Sequence, residues 1–281
     1  MPSGRTLTLS FPPFTHWVKR IIIACVGIYF LQVVLGVFSP EIASYLIAFG
    51  ALIPAAVVHG WIWQLVTYSL LHASVGHVLI NMLMLWMFGA QQEQDWGSKK
   101  FLEFYLFCVV GAALTTIAVA YSPIPGVHPG TPTIGASGGV YGVLMAFGML
   151  YGDREIMLFP IPFSVKAKYF VGGIAFITLI EAISASSGRG SAVAYSAHLG
   201  GLLFGFLYVK FVPKRGLTRD ASERYFGLRN SYYRWRRRRA AKKFEVYMRK
   251  HNRTVSFDEH GNYVPPDDDK KNGGSKSGWV N

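Results

Sequence analysis

The chain has 281 residues, 51% of them hydrophobic and only 15% charged, with a formal net charge of +13. That balance excludes one or two ordinary water-facing domains and indicates a multi-pass membrane protein. The charge is lopsided: residues 1–210 hold 10 Lys+Arg against 7 Asp+Glu, and residues 211–281 hold 18 against 8, so an apolar body carries a basic tail.

In chain order, residues 1–16 read as a cytoplasmic N-terminal segment with no cleavable signal peptide, since the first apolar run starts near Ile21 and no small-residue cleavage site follows it. Six stretches are apolar enough to cross or nearly cross a bilayer: Ile21–Phe38, His77–Ala90, Phe101–Tyr121, Ser137–Tyr151, Tyr169–Ile183 and Ala192–Val209. Several fall short of the roughly 20 residues a full span needs, and polar residues sit at their truncated ends. Lys19, Arg20, Lys99, Lys100, Arg154, Lys166 and Lys168 flank one side of these segments, while loops 39–76, 122–136 and 184–191 contain a single Lys or Arg, Arg189. The positive-inside rule then predicts both termini in the cytoplasm and those three loops outside. Loop 39–76 carries Trp61, Trp63 and Tyr68 among aliphatic residues, a composition suited to the half-wet membrane interface. Cys25 and Cys108, the two cysteines, lie inside apolar runs, which excludes a disulfide framework and a Cys-based zinc site.

Polar groups at membrane depth are expensive and point to function. They are His72, His77 and Asn81 around the second segment, Ser137 opening the fourth, and His198 in the sixth. Counting helix rise from the inner ends puts Ser137 roughly 21 Å, His198 roughly 18 Å and His77 roughly 21 Å deep, so three distant segments place polar groups in one layer. His77 and Asn81, four apart, share a helix face. Ser137 sits in Gly135-Ala136-Ser137-Gly138-Gly139, whose unpaired N–H groups at a helix start favour a developing oxyanion. Gly201 and Gly205 have the spacing that packs membrane helices, which accounts for the glycines beside His198 and leaves the imidazole without a role. Together these parts compose a nucleophile (Ser137), a base (His198) and oxyanion donors (the Ser137 N–H, His77 and Asn81). No Asp lies in the outer half of any segment, so the expectation is a Ser/His dyad, with Tyr141 one turn beyond Ser137 placed to orient the His198 ring or else to serve as a core aromatic.

These residues resemble the rhomboid family of intramembrane serine proteases over about residues 17–210. The resemblance rests on Gly135-Ala136-Ser137-Gly138 with Tyr141, on Ala197-His198-Leu199-Gly200-Gly201 with Gly205, on the spacing of His72, His77 and Asn81, and on Gly89-Ala90-Gln91-Gln92-Glu93 with Gly97. It implies an all-α, six-transmembrane-helix bundle over 17–212 whose water-filled cavity opens outward and cleaves other transmembrane helices near their outer ends. It implies Ser137 as nucleophile, His198 as general base, His77 and Asn81 as oxyanion donors, and His72 as a cavity-lining residue that helps hold local structure. Many members carry Trp-Arg where Trp63 is here followed by Gln64, which loses the charge and fork of Arg and puts the anchoring of that loop in question. The expected partners are transmembrane protein substrates, with water as co-substrate and no cofactor or metal, in a bacterial plasma membrane. A zinc protease would want His-Glu-x-x-His, and Asp95 and Asp153 fall in turns rather than in segments. A metal shared by His59, His128 and His72 is a weaker thought. The alternative function is a catalytically silent relative that binds transmembrane helices.

Residues 213–281 read as a basic tail, helical over about Arg219–Lys250 and disordered from Val264. Its run Tyr232-Tyr233-Arg234-Trp235-Arg236-Arg237-Arg238-Arg239 suits anionic lipid head groups better than nucleic acid, the sharper alternative.

Overall fold

A chain that crosses hydrocarbon must bond its backbone N–H and C=O groups internally, and helices do this segment by segment. The computed structural model describes residues 12–123, 128–157, 164–186, 192–212, 217–251, 255–258 and 262–264, without the side chains of 185–186, 192–194 and 217–228. Arg189 and the stretch from residue 265 onward lie outside the described residues. Two units separate, Met1–Gly216 and Leu217–Asn281.

Each of the six apolar segments lies in a helix. In chain order the first unit holds α1 (His16–Phe38), α2 (Pro40–Gly50), α3 (Pro54–Val58), α4 (Gln64–Thr67), α5 (Val75–Met84), α6 (Ala90–Trp96), α7 (Ser98–Ala120), α8 (Ser137–Leu150), α9 (Ala167–Ser186) and α10 (Ala192–Phe211). The segment expected to stop at Ala90 continues through a π turn, Leu85–Gly89, into α6. Among the described residues three helices are long and apolar enough to cross a membrane: α1, α7, and α9 over Ala167–Ser184. A fourth span results if Gln64–Leu70 and Val75–Trp96, bent by 103°, are counted together. The loop expected at the interface contains α2, α3 and α4, which no apolar periodicity announced.

Helix α1 buries only Val18, Ile21 and Cys25, and exposes Ile23, Val26, Phe30, Val33, Val37 and Phe38. In water such a face would be a liability; among lipid tails it costs nothing. Its start is tied to α6, where the Glu93 carboxylate accepts the Thr15 hydroxyl, the Trp17 N–H (2.8 Å) and the Val18 N–H (3.0 Å). An anion there bonds the orphan first-turn amides at the positive end of the helix dipole. Hydrogen bonds to a charged acceptor contribute roughly 1.5–3 kcal/mol each, and neighbours do not add fully. We therefore expect Glu93→Ala to lower the melting temperature measured by circular dichroism in detergent by about 10 °C; an unchanged melt would refute this account of the α1 start.

Helices α7, α8 and α10 form the centre. Tyr105, Val109 and Cys108 of α7 lie against α8, where a Cβ at Gly139 would be 2.5 Å from the Tyr105 ring and 2.9 Å from a Val109 methyl, and one at Gly142 2.6 Å from the Cys108 Cβ. Glycines let backbones meet: a Cβ at Gly205 would lie 2.6 Å from the Gly142 carbonyl oxygen, and one at Gly200 2.9 Å from the Ala112 Cα. Buried Gln92 of α6 donates its amide to the Val143 carbonyl at 2.7 Å, pinning α6 to α8. Between α8 and α9 a short hairpin pairs β1 (Glu155–Met157) with β2 (Ser164–Lys166). Beside it, the ammonium groups of Lys168 (2.7 Å) and Lys166 (3.8 Å) hold the exposed Asp153 carboxyl below its ordinary range, the Lys168 hydrogen bond being the larger cause. The second unit contains α11 (Leu217–Lys250) and a hairpin of β3 (Ser256–Phe257) with β4 (Tyr263–Val264), so Val264 is a strand residue where disorder was expected.

Candidate active site

The approach to Ser137 is held before α8 begins. Leu52 and Thr133 exchange both backbone hydrogen bonds at 2.9 Å, and the Gly135 N–H donates to the Tyr68 carbonyl at 2.9 Å. Gly135 then takes φ 129°, a conformation that side chains rarely adopt, and α8 starts at Ser137. The preceding residue, Ala136, has no side chain to cap the helix, so the first amides are unbonded by any cap and face forward. A Cβ at Gly135 would lie 2.7 Å from both Cε1 and Nε2 of His77 and 3.7 Å from Ser137 Oγ. Glycine is thus required twice here, for its dihedral angle and to let the His77 ring reach the backbone beside the serine hydroxyl.

His198 comes from α10. Its ring stacks on Tyr141 with centroids 4.2 Å apart and planes 6° from parallel, and the Tyr195 ring meets it edge-on at 6.1 Å. Tyr141 follows Ser137 by one helical turn, so the imidazole lies against the α8 face that carries the serine. The backbones touch at the same level: a Cβ at Gly138 would be 3.7 Å from the Ala197 carbonyl oxygen, and one at Gly201 would collide with the Gly138 carbonyl. His198 Nδ1 is buried and has no hydrogen-bond partner among the described residues, so no described carboxylate bonds that nitrogen. The ring packs against Tyr141.

His77 is oriented from behind. The Ala73 N–H donates to its Nδ1 at a long 3.4 Å, a bond that requires Nδ1 to accept and leaves the ring proton on Nε2, the nitrogen facing Gly135. His72 stands edge-on to His77 with centroids 5.1 Å apart, and its backbone is clamped by Gln32 of α1, which accepts the His72 N–H (3.1 Å) and donates to the His72 carbonyl (3.3 Å). Buried Asn81 donates one amide hydrogen to the His77 carbonyl at 2.9 Å, leaving its second for another acceptor. His59 has its ring bonded to the Ala55 carbonyl at 2.7 Å, and among the described residues no group of three or more His, Cys, Asp or Glu, the set of His59, His72 and His128 included, could hold a metal ion.

Three supports were not found in the sequence. Tyr68, expected half-wet at the interface, is 1% exposed: its hydroxyl donates to the Val109 carbonyl at 2.8 Å while its own carbonyl holds Gly135. Trp61 and Trp63 of the same loop stack at 5.3 Å and are 40% and 37% exposed. Gln32 gave no signal beyond a polar residue in an apolar run. Gln64 is 0% exposed; its carbonyl oxygen accepts the Ile53 N–H at 3.0 Å and its amide donates to the Ala48 (3.2 Å) and Phe49 (3.3 Å) carbonyls. A neutral amide therefore anchors this loop from inside, without the charge of Arg. Gln64→Leu would leave the Ile53 N–H and the Ala48 carbonyl unpaired at roughly 1 kcal/mol or more each, while the Phe49 carbonyl keeps the Trp63 indole N–H at 3.0 Å; we expect proteolysis within residues 48–64 to become measurably faster, and parent-like resistance would overturn the anchoring role.

The family model that matches this chain describes a rhomboid domain, over residues 59–215. Among curated proteins the chain is 29% identical to the mitochondrial Rhomboid protein 1 of Saccharomyces cerevisiae, covering 51% of this chain and 40% of that protein. It is 31% identical to Rhomboid protease GluP of Bacillus subtilis (61% and 30%) and 28% identical to Rhomboid protease AarA of Providencia stuartii (66% and 69%). The chain thus spans less than half the length of the first two. The matched span runs from the aromatic loop through His77, Ser137 and His198 to the end of α10, and on that span the chain belongs to the rhomboid family, an integral membrane family.

Proposed function

We propose that this protein is an intramembrane serine endopeptidase that cleaves transmembrane helices of other proteins near their outer ends, using Ser137 and His198. The observation that carries the reading is the His198 ring stacked on Tyr141, one turn from Ser137, with the His77 ring against Gly135 on the other side. Ser137 Oγ attacks the scissile carbonyl while His198 takes the hydroxyl proton and passes it to the leaving amine. Water then attacks the acyl-enzyme; His198 takes a proton from that water and returns it to Ser137 as the new carboxyl leaves. The oxyanion formed in each half accepts from the Ser137 N–H, His77 Nε2–H and the second Asn81 hydrogen. The silent helix-binding alternative would leave these donors and the base without a task.

Cleavage of a reporter transmembrane segment rich in small and helix-breaking residues tests this, run beside Ser137→Ala with a serine-reactive fluorophosphonate in the same tubes. Product or label in the parent alone supports the proposal; neither product nor label moves the reading to the silent relative. Stacked rings contribute roughly 0.5–1.5 kcal/mol beyond their area. Tyr141→Phe, which keeps the stack, is expected to cleave near the parent rate, and Tyr141→Ala about tenfold more slowly in kcat. Equal rates for the two would deny Tyr141 its orienting role.

The domain covers residues 17–212 in this proposal, as six spans with both ends in the cytoplasm, and the tail follows it. A C-terminal alkaline phosphatase fusion should be inactive in cells; an active one would sink that topology. The bacterial plasma membrane stays part of the proposal, and fractionation of the source cells tests it.

A further inference from the structure

Helix α11 has two unlike sides over its described side chains. The β3–β4 hairpin lies against one: Phe257 meets Phe244 edge-on at 6.2 Å and Tyr263 at 6.2 Å, and a cavity of about 290 Å³ is lined by Arg238, Lys242, Glu245, Phe257 and Asp258. The hairpin closes on itself through Asp258, which accepts the Asn262 backbone N–H at 2.8 Å and side-chain amide at 2.9 Å. Ala241 is buried, with Glu245 and Met248 half-buried along the same side. The hairpin thus takes one face of the helix and leaves the other to solvent.

The opposite face is Tyr232, Arg236, Arg239, Lys243, Tyr247 and Lys250, all exposed. Their successive spacings of four, three, four, four and three make 18 residues, five full turns of helix at about 3.6 residues per turn. Trp235 edges this stripe: the Arg239 guanidinium sits 4.8 Å from its ring centroid, and Tyr232 lies 6.0 Å from it. From Arg229 to Lys250 there are 10 Lys and Arg and one acidic residue, Glu245, which is on the hairpin side. The sequence alone shows a basic run; the structure sorts it into a straight cationic and aromatic face with its acid turned away.

We propose that this face is a docking surface for anionic phospholipid head groups. Head-group phosphates would accept from Arg236, Arg239, Lys243 and Lys250, and the amphipathic rings of Trp235, Tyr232 and Tyr247 match the interface where one end of a ring is apolar and the other wet. Nucleic acid offers phosphates too, but chain continuity favours lipid. Only residues 213–216 separate the described end of the first unit from Leu217, and five peptide steps reach at most about 17 Å. A membrane is therefore always near the start of α11, at a high local concentration that a diffusing polynucleotide lacks.

The full chain with Ala240→Cys tests this. Ala240 is exposed between Arg236 and Lys243 on the stripe, and the native thiols, Cys25 and Cys108, are buried, so one environment-sensitive fluorophore can be placed there. In nanodiscs we expect its emission to rise at least twofold on going from phosphatidylcholine alone to about 30% phosphatidylglycerol. The rise should vanish in 0.5 M salt and in Arg236→Gln/Arg239→Gln/Lys243→Gln, whose exposed substitutions leave the hairpin contacts untouched. The same label at Ser256→Cys, on the hairpin, should not respond. Equal emission in both lipids overturns the proposal. A response to a short RNA or DNA duplex in phosphatidylcholine discs, with none to phosphatidylglycerol, overturns it in favour of nucleic acid.

Discussion

Ser137→Ala is expected to reduce cleavage of a reporter transmembrane segment by about 10³-fold or more, to the detection limit, because loss of one member of a nucleophile–base unit removes nearly all that the unit contributes. The same variant should melt within about 2 °C of the parent. Ser137 is half-buried and its hydroxyl makes no hydrogen bond to another described residue, so the methyl group replaces the hydroxyl without orphaning a partner, a change that normally falls within roughly 0.5 kcal/mol. His198→Ala should be equally inactive but less stable, since it removes a ring stacked on Tyr141 and leaves a void between α8 and α10. The contrast matters more than either loss alone. A fold defect would depress activity and stability together in both variants, whereas a dyad predicts equal inactivity at unequal stability. Retained cleavage in folded Ser137→Ala, measured by product mass spectrometry, would remove the nucleophile assignment.

How far the sequence carried this picture depends on the range of the interactions. The six apolar segments are local in composition, and each lies in a helix. The polar residues at depth could be singled out because His77, Ser137 and His198 are costly in hydrocarbon wherever their partners are. Contacts that hold the site across long separations left no such trace. Gln32 clamps His72 from 40 residues away, Tyr68 reaches Val109 from 41, and Glu93 bonds Val18 from 75. Each is a side chain on a backbone group, and backbone groups have no residue signature to pair with. Tyr68 departs from the composition for a related reason: composition places an aromatic in an interfacial loop, but only its bond to Val109 of α7 shows that this one turns inward while Trp61 and Trp63 stay out. The long loop looked like a connector because α2, α3 and α4 are short and their apolar residues face both lipid and protein. In the tail the spacing of the stripe was present in the sequence all along. What was absent was the hairpin, whose position on the Ala241 side gives that spacing a free face.

Gly201→Ala is the second variant expected to fail badly, and for a different reason. The added methyl would collide with the Gly138 carbonyl oxygen and lie 3.0 Å from its carbon and 3.2 Å from its Cα. These are backbone atoms one residue past Ser137, so no side chain can rotate away and α8 must part from α10. Overpacking of this kind costs typically 1–3 kcal/mol, and a shift of about 1 Å at a reacting centre can cost 10²-fold in rate. We expect a fall in melting temperature of at least several degrees and about a 10²-fold loss in kcat for the reporter. Two neighbours separate the causes. Gly205→Ala meets the Gly142 carbonyl oxygen at 2.6 Å, one turn farther from the serine, and should destabilise comparably with a smaller loss of rate. A methyl at Gly173 on α9 has nothing within 4 Å and should change neither quantity. If Gly201→Ala matched Gly173→Ala in both, the close approach of α8 and α10 would not set the Ser137–His198 geometry. If Gly201→Ala and Gly205→Ala lost rate equally, the loss would belong to the bundle as a whole rather than to displacement at Ser137.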